Sequence, residues 1–107
     1  MFHSINAYTG ETLCRRPAQG YAEFAQELAA LKLRQQAFAR LGVTGRTALL
    51  QAFAERLAQN KERLAEMVCE EVGRCLHECR AELDKSVELI RYYVRLAPEL
   101  LAHKTIA

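Results

Sequence analysis

The sequence predicts a mainly α fold: a short N-terminal β-hairpin followed by four helices. Three observations lead there. Apolar residues recur at three- and four-residue spacing from Tyr21 almost to the end of the chain. Residues 1–20 instead show brief apolar alternation around turn-forming residues. The chain has 107 residues, 50% apolar and 26% charged, which allows one domain with a core and a soluble surface.

The elements follow in order. In "SINAYTGETL", Asn6, Thr9 and Gly10 supply turn chemistry, with Gly10 suited to positive φ. Ile5 and Leu13 are the expected cross-strand pair, and residues 1–20 form an extended hairpin arm. The helical segment is residues 21–107. Its first helix runs from about Tyr21 to Arg40, with Phe24, Leu28, Leu31 and Phe38 on one stripe and Gly42 as the C′ residue. The second begins after Thr44 as N-cap and carries Leu49, Leu50, Phe53 and Leu57. Asn60 caps the third, whose face is Leu64, Met67, Val68 and Val72, and Gly73 ends it.

The fourth helix is the longest and carries two stripes. Leu76, Leu83, Val87, Ile90 and Val94 trace one; Leu89, Tyr93, Leu96 and Leu100 trace the other. The combined arc is wider than one partner helix covers. Pro98 removes a backbone donor and is expected to break or kink the helix near Leu96, leaving "PELLA" as a last short turn. The tail "HKTIA" has no helical pattern.

The composition excludes several functions. A formal charge of +2 gives no strong attraction to nucleic acid or an anionic membrane. No apolar run has the length of a bilayer span, and the start "MFHSINAYTGET" has neither the basic nor the apolar region of a secretory signal. A cytoplasmic location is the expectation, with the four cysteines as reduced thiols.

One stretch raises the question of chemistry. "CEEVGRCLHEC" holds Cys69, Cys75, His77 and Cys79 within eleven residues. A structural zinc site needs four converging ligands. Read as helix, Cys75 and Cys79 share a face, whereas His77 lies two residues from each, about 200° around. Cys69 belongs to the preceding helix and Cys14 is remote. The expectation is no metal site and no cysteine nucleophile. A thiol nucleophile needs a base beside it, and helical geometry turns His77 away. His3 and His103 have no partner pattern. Glu70 and Glu71 cannot face each other on a helix and read as a solvated edge. Tyr92 and Tyr93 read as packing residues, and two glycines in "LGVTGRT" do not make a phosphate loop.

Three segments resemble one known family, the aldehyde dehydrogenases. "INAYTGE" is similar to their I-N-P-A-T-G-E opening. "RQQAFARLGVTGRTALLQAFAERL" resembles their A-F-x-x-W stretch followed by an arginine and a helix. "LAEMVCEEVGRCLHECRAELDKSVELIRYYVRLAPELLA" resembles their acidic pair, Gly-Lys-Pro, Glu-Ala and long helix ending in Tyr-Tyr-Ala. The likeness is greatest to the succinate-semialdehyde dehydrogenase branch. It covers nearly all of this chain and only the front of the family's length.

The chain departs from the family pattern at several positions. Ala7 stands where proline is usual, Leu41 where tryptophan is common, Arg74 and Cys75 where Lys-Pro is usual, and Cys79 where alanine is usual. The resemblance implies an N-terminal fragment, the front of a larger α/β cofactor-binding domain. The family works by thiolate attack, hydride transfer to NAD or NADP, and hydrolysis of the acyl-enzyme. Its Gly-Gln-x-Cys nucleophile, Glu-Leu-Gly-Gly base and Pro-Trp-Asn asparagine do not occur here, and the chain ends about where the next strand would begin. No catalytic, cofactor-binding or metal residue is therefore expected among these 107 residues. The expected partners are the remainder of a dehydrogenase chain or further copies in a homo-oligomer, with neither nucleic acid nor membrane. The alternative is a stand-alone helical module that oligomerises through its apolar faces.

Overall fold

The computed structural model describes residues 1–104, so the last three residues of the "HKTIA" tail lie outside it. The order is β1 (Phe2–Ile5), β2 (Thr12–Arg16), α1 (Tyr21–Arg40), α2 (Gly42–Gln59), α3 (Lys61–Val72) and α4 (Leu76–Leu100). This is the hairpin and four helices that the sequence predicts.

β1 and β2 pair antiparallel. Ser4 lies opposite Cys14, and Ile5 opposite Thr12. Leu13 is thus the extra residue of a bulge, rather than the partner of Ile5 that the alternation suggested. The turn is an Asx turn: Asn6 Oδ1 accepts the N–H groups of Tyr8 (2.9 Å) and Thr9 (3.1 Å). The Gly10 N–H returns to the Asn6 carbonyl at 2.9 Å, with Gly10 at φ +76°.

α1 begins where the Glu23 carboxylate accepts the Gly20 N–H at 3.1 Å. It ends at Leu41, and Gly42 follows at φ +66°. α2 then starts at Gly42 itself, ahead of the expected Thr44 cap. Thr44 lies inside the first turn, where its carbonyl accepts the Thr47 hydroxyl at 3.0 Å. A left-handed glycine turns the chain sharply enough for the new helix to begin without a side-chain cap. α3 ends as predicted at Gly73, in the left-handed region at φ +76°.

α4 corrects the second breaking signal: it runs through Pro98 to Leu100. Pro98 sits in the last turn, and the Leu101 N–H still reaches the Ala97 carbonyl at 2.9 Å. Near a helix end the missing donor forfeits one bond instead of breaking a continuing ladder.

α4 is the spine against which α2 and α3 pack. The residues buried there are small: Ala54 on α2, Ala65 on α3, and Cys79 and Val87 on α4. Leu76, Leu83, Ile90 and Val94 are half-buried beside Val87, so the first stripe of α4 is the packed one. Leu89, Tyr93 and Leu100 of the second stripe stay exposed. On α2 the packed face differs from the expected one: Ala54 is fully covered, whereas Leu49 and Phe53 are exposed. Alanine's lack of bulk brings two helix backbones close, and the larger residues are left outside.

Two ion pairs bridge α3 to α4, Lys61 to Asp84 at 2.6 Å and Arg80 to Glu62 at 2.7 Å. Both are solvent-exposed and worth roughly 0–1 kcal/mol each. The Cα radius of gyration is 18.7 Å and the principal extents are 62 × 40 × 24 Å. A compact domain of about 100 residues has a radius near 13 Å. The excess is consistent with α1, which has no buried residue and packs appreciably only against α2.

Candidate functional site

The cysteine-rich stretch forms the corner between α3 and α4. α3 ends with orphan carbonyls, as every helix does. The Gly73 N–H satisfies that of Cys69 at 2.9 Å, and the Ala7 N–H from the hairpin turn satisfies that of Glu70 at 2.7 Å. The Ser4 hydroxyl donates to the Glu71 carboxylate, and the Tyr8 hydroxyl to the Arg74 carbonyl at 3.4 Å. The corner thus docks the hairpin arm. Glu71 is a hydrogen-bond acceptor for β1 rather than simply a solvated edge.

Cys75 is the N-cap of α4 in an extended conformation, φ −62° and ψ 137°. It is exposed, whereas Cys79 in the first turn is 1% exposed. This corrects the reading of Cys75 and Cys79 as two thiols on one helical face. The chain has not yet entered the helix at Cys75, and only its carbonyl reaches the Cys79 N–H, at 3.1 Å. Cys69 is half-buried on α3, while His77 and Cys14 are exposed.

The electrostatics suit protonated, unreactive groups. Burial, and then the nearby Cys69, push the Cys79 thiol up from its ordinary value. Loss of water, and then Cys69 and Cys75, push the Tyr8 phenol up likewise. Arg74 reaches over the first turns of α4 to Glu82 and, at 3.5 Å, to Glu78. A reactive cysteine needs the opposite environment, one that stabilises thiolate. Among the described residues, no three His, Cys, Asp or Glu side chains are grouped to hold a metal ion.

The other candidates are dispersed. His3 lies on β1 opposite Arg15, and His103 is exposed beyond α4. Tyr92 and Tyr93 meet edge to face, with centroids 5.3 Å apart and planes at 81°, and both remain exposed. No helix among the described residues is long and apolar enough to cross a membrane. Sequence reasoning missed Ser4, Ala7 and Tyr8. Each lies beside the turn signal at Asn6, but their partners are more than sixty residues away.

A corner that clamps an N-terminal hairpin, with a glycine at the helix junction, is where the third resembling segment falls. The model of the aldehyde dehydrogenase family matches residues 1–107. The chain belongs to the aldehyde dehydrogenase family. It is 32% identical to a succinate-semialdehyde dehydrogenase (NADP(+)) of Deinococcus radiodurans, over 98% of this chain and 22% of that protein. It is 31% identical to a malonate-semialdehyde dehydrogenase of Listeria monocytogenes, over 96% of this chain and 21% of the relative. A succinate semialdehyde dehydrogenase (NAD(P)+) of Escherichia coli is 32% identical over 92% of this chain and 21% of its own length. The chain therefore spans about a fifth of the length of these dehydrogenases.

Membership gives the corner its meaning. Where aldehyde dehydrogenases usually have proline, this chain has Ala7, whose N–H makes a bond that proline could not. Where they usually have Lys-Pro it has Arg74 and the exposed Cys75, and where they usually have alanine it has the buried Cys79. Of these, Ala7 donates a hydrogen bond to the clamp and Cys79 packs beneath it, whereas nothing in the structure explains the exposed Cys75.

Proposed function

We propose that these residues form the N-terminal helical part of an NAD(P)-dependent semialdehyde dehydrogenase, and that they perform no oxidation alone. The substrate class is a short aldehyde bearing a carboxylate, succinate semialdehyde or malonate semialdehyde. Residues 1–20 serve as an arm clamped to the α3–α4 corner. Residues 21–107 serve as the helical front of a cofactor-binding domain. The four free thiols fit a reducing, cytoplasmic location.

One observation carries this reading. A chain matched along its whole length by one enzyme family buries only four apolar residues among those described, while Leu89, Tyr93 and Leu100 of α4 are 53%, 56% and 59% exposed. Exposed apolar stripes of this extent mark surfaces that another part of a protein covers. In this reading the second stripe of α4 seats against the remainder of a dehydrogenase chain, which supplies the nucleophile, the base and the dinucleotide site. The work of these residues is to hold the frame. The first stripe of α4 fixes α2 and α3, and the corner fixes the arm.

Calorimetric titration with NAD+ and NADP+ tests the assignment of the cofactor site elsewhere. The expected result is no saturable binding to the 107-residue chain. Stoichiometric binding would overturn it.

A further inference from the structure

Three cysteines meet at the corner that clamps the hairpin arm. Cys69 lies in the last turn of α3, Cys75 is the N-cap of α4, and Cys79 lies in the first turn of α4. Tyr8 reaches over them from the hairpin turn. Its hydroxyl donates to the Arg74 carbonyl at 3.4 Å, and the Cys79 Sγ approaches the same oxygen at 4.0 Å. The Tyr8 hydroxyl also hydrogen-bonds the Cys69 side chain. One residue of the arm thus touches the Cys69 sulfur of α3 and shares an acceptor with the Cys79 sulfur of α4.

From this cluster we infer that Cys69 and Cys79 are a redox site: they form a reversible disulfide that staples α3 to α4 beneath the docked arm. Burial sorts the partners. Cys79 is buried and Cys69 half-buried, so both lie on the covered side of the corner, whereas Cys75 is exposed on the outside. The electrostatics agree. After burial, Cys69 acts on the Cys79 thiol more strongly than Arg74, Glu82 or Glu78 does. A metal ion would need three such groups together, and none are so placed among the described residues. A disulfide needs only two.

The oxidant is a low-molecular-weight disulfide such as oxidised glutathione. The Cys69 thiol gives its proton to solvent, and the thiolate attacks one sulfur of the oxidant. The oxidant's S–S bond breaks, and the departing thiolate takes up a proton. The Cys79 thiolate then attacks the Cys69 sulfur of the mixed disulfide and expels the second small thiolate, which is protonated in turn. Two cysteine thiols lose two electrons, and one small disulfide is reduced to two thiols. Cys79 is covered and holds its proton tightly, so the second step waits for the corner to open. Once made, the bond closes a loop of eleven residues, from Cys69 to Cys79, and holds two helix ends together. The inference stands on the corner alone, independent of the dehydrogenase reading, and it is scored by thiol chemistry rather than by turnover.

Equilibration of the 107-residue chain in glutathione redox buffers tests it, with Cys14→Ser and Cys75→Ser combined to remove the two exposed thiols and mass spectrometry to map the products. The expected product has lost two hydrogens, links Cys69 to Cys79, and returns to the dithiol with dithiothreitol. Adding Cys79→Ala, the usual family residue, should trap Cys69 as a mixed disulfide with glutathione. The equilibrium constant for oxidation is then compared in native buffer and in concentrated urea. Folding that brings the two sulfurs together should make it larger in native buffer by about tenfold or more. Helical circular dichroism is read on the same samples. Where the double variant loses its helical signal, the parent chain is mapped instead, and the same Cys69–Cys79 link is expected there. A constant no larger in native buffer than in urea, a lasting mixed disulfide at Cys69 beside a free Cys79, or a parent chain that links Cys75 in place of Cys79 would each overturn it.

Discussion

The Ala7 N–H donates to the Glu70 carbonyl at 2.7 Å, tying the hairpin turn to the last turn of α3 across sixty-three residues of sequence. The acceptor is one of the carbonyls a helix end leaves unpaired. The donor exists because this chain has alanine where its family usually has proline. Ala7→Pro is therefore expected to destabilise. The lost bond is worth roughly 0.5–1.5 kcal/mol, and stiffening the unfolded chain does not recover it where the N–H is in use. Chemical denaturation and amide exchange across β1 and β2 measure the effect; unchanged protection in the hairpin would contradict it.

Gly73 is the hinge of the same corner. Its φ is +76°, and a Cβ placed there would lie 3.0 Å from the Ala7 Cβ. Gly73→Ala combines left-handed strain with a close approach, and a loss of about 1–2 kcal/mol is expected. Adding Ala7→Gly should recover the steric part and leave the conformational part. A double-mutant cycle in urea separates the two.

Cys75 makes the opposite prediction. At φ −62° it already has the proline conformation, and it is exposed. Cys75→Pro, which restores the usual family residue, is expected to raise stability by about 0.4–1 kcal/mol through the unfolded state. A fall in melting temperature would show that the Cys75 N–H has a partner in solution.

The thiols should react in order. Cys14 and Cys75 are exposed, Cys69 is half-buried and Cys79 is buried. With an aromatic disulfide reagent, two thiols should titrate quickly, one more slowly, and Cys79 only as the chain opens. Alkali provides a second reading. Burial, and then Cys69, raise the Cys79 thiol in the folded chain, so the folded state holds that proton more tightly than the unfolded state. Its contribution is intact below the ordinary thiol value of 9.0 and is lost as pH rises through the raised value. Cys79→Ala should flatten that alkaline decline in a denaturation series, leaving the part that belongs to Tyr8.

Much of the fold was legible because its signals are local. The turn chemistry at Asn6 and Gly10, the bounds of α1 and the stop at Gly73 follow from residues adjacent in sequence. Apolar periodicity found both stripes of α4. It failed on α2, where size governed the packing: Ala54 went inside, and Leu49 and Phe53 remained outside. Pro98 misled because a missing donor matters less one turn from the helix end. The clamp was invisible because Ser4, Ala7 and Tyr8 carry no mark of partners on α3 and at the corner beyond it. The family likeness was visible in three spaced segments, yet it could not show that Ala7 gains a hydrogen bond where proline is usual.

The central claim is that these residues frame a semialdehyde dehydrogenase without supplying its reactive groups. NADH or NADPH absorbance, followed with the purified 107-residue chain and either succinate semialdehyde or malonate semialdehyde, tests it most directly. The account predicts no turnover above the buffer rate with either cofactor. Catalytic reduction of NAD+ or NADP+ by this chain alone would contradict it.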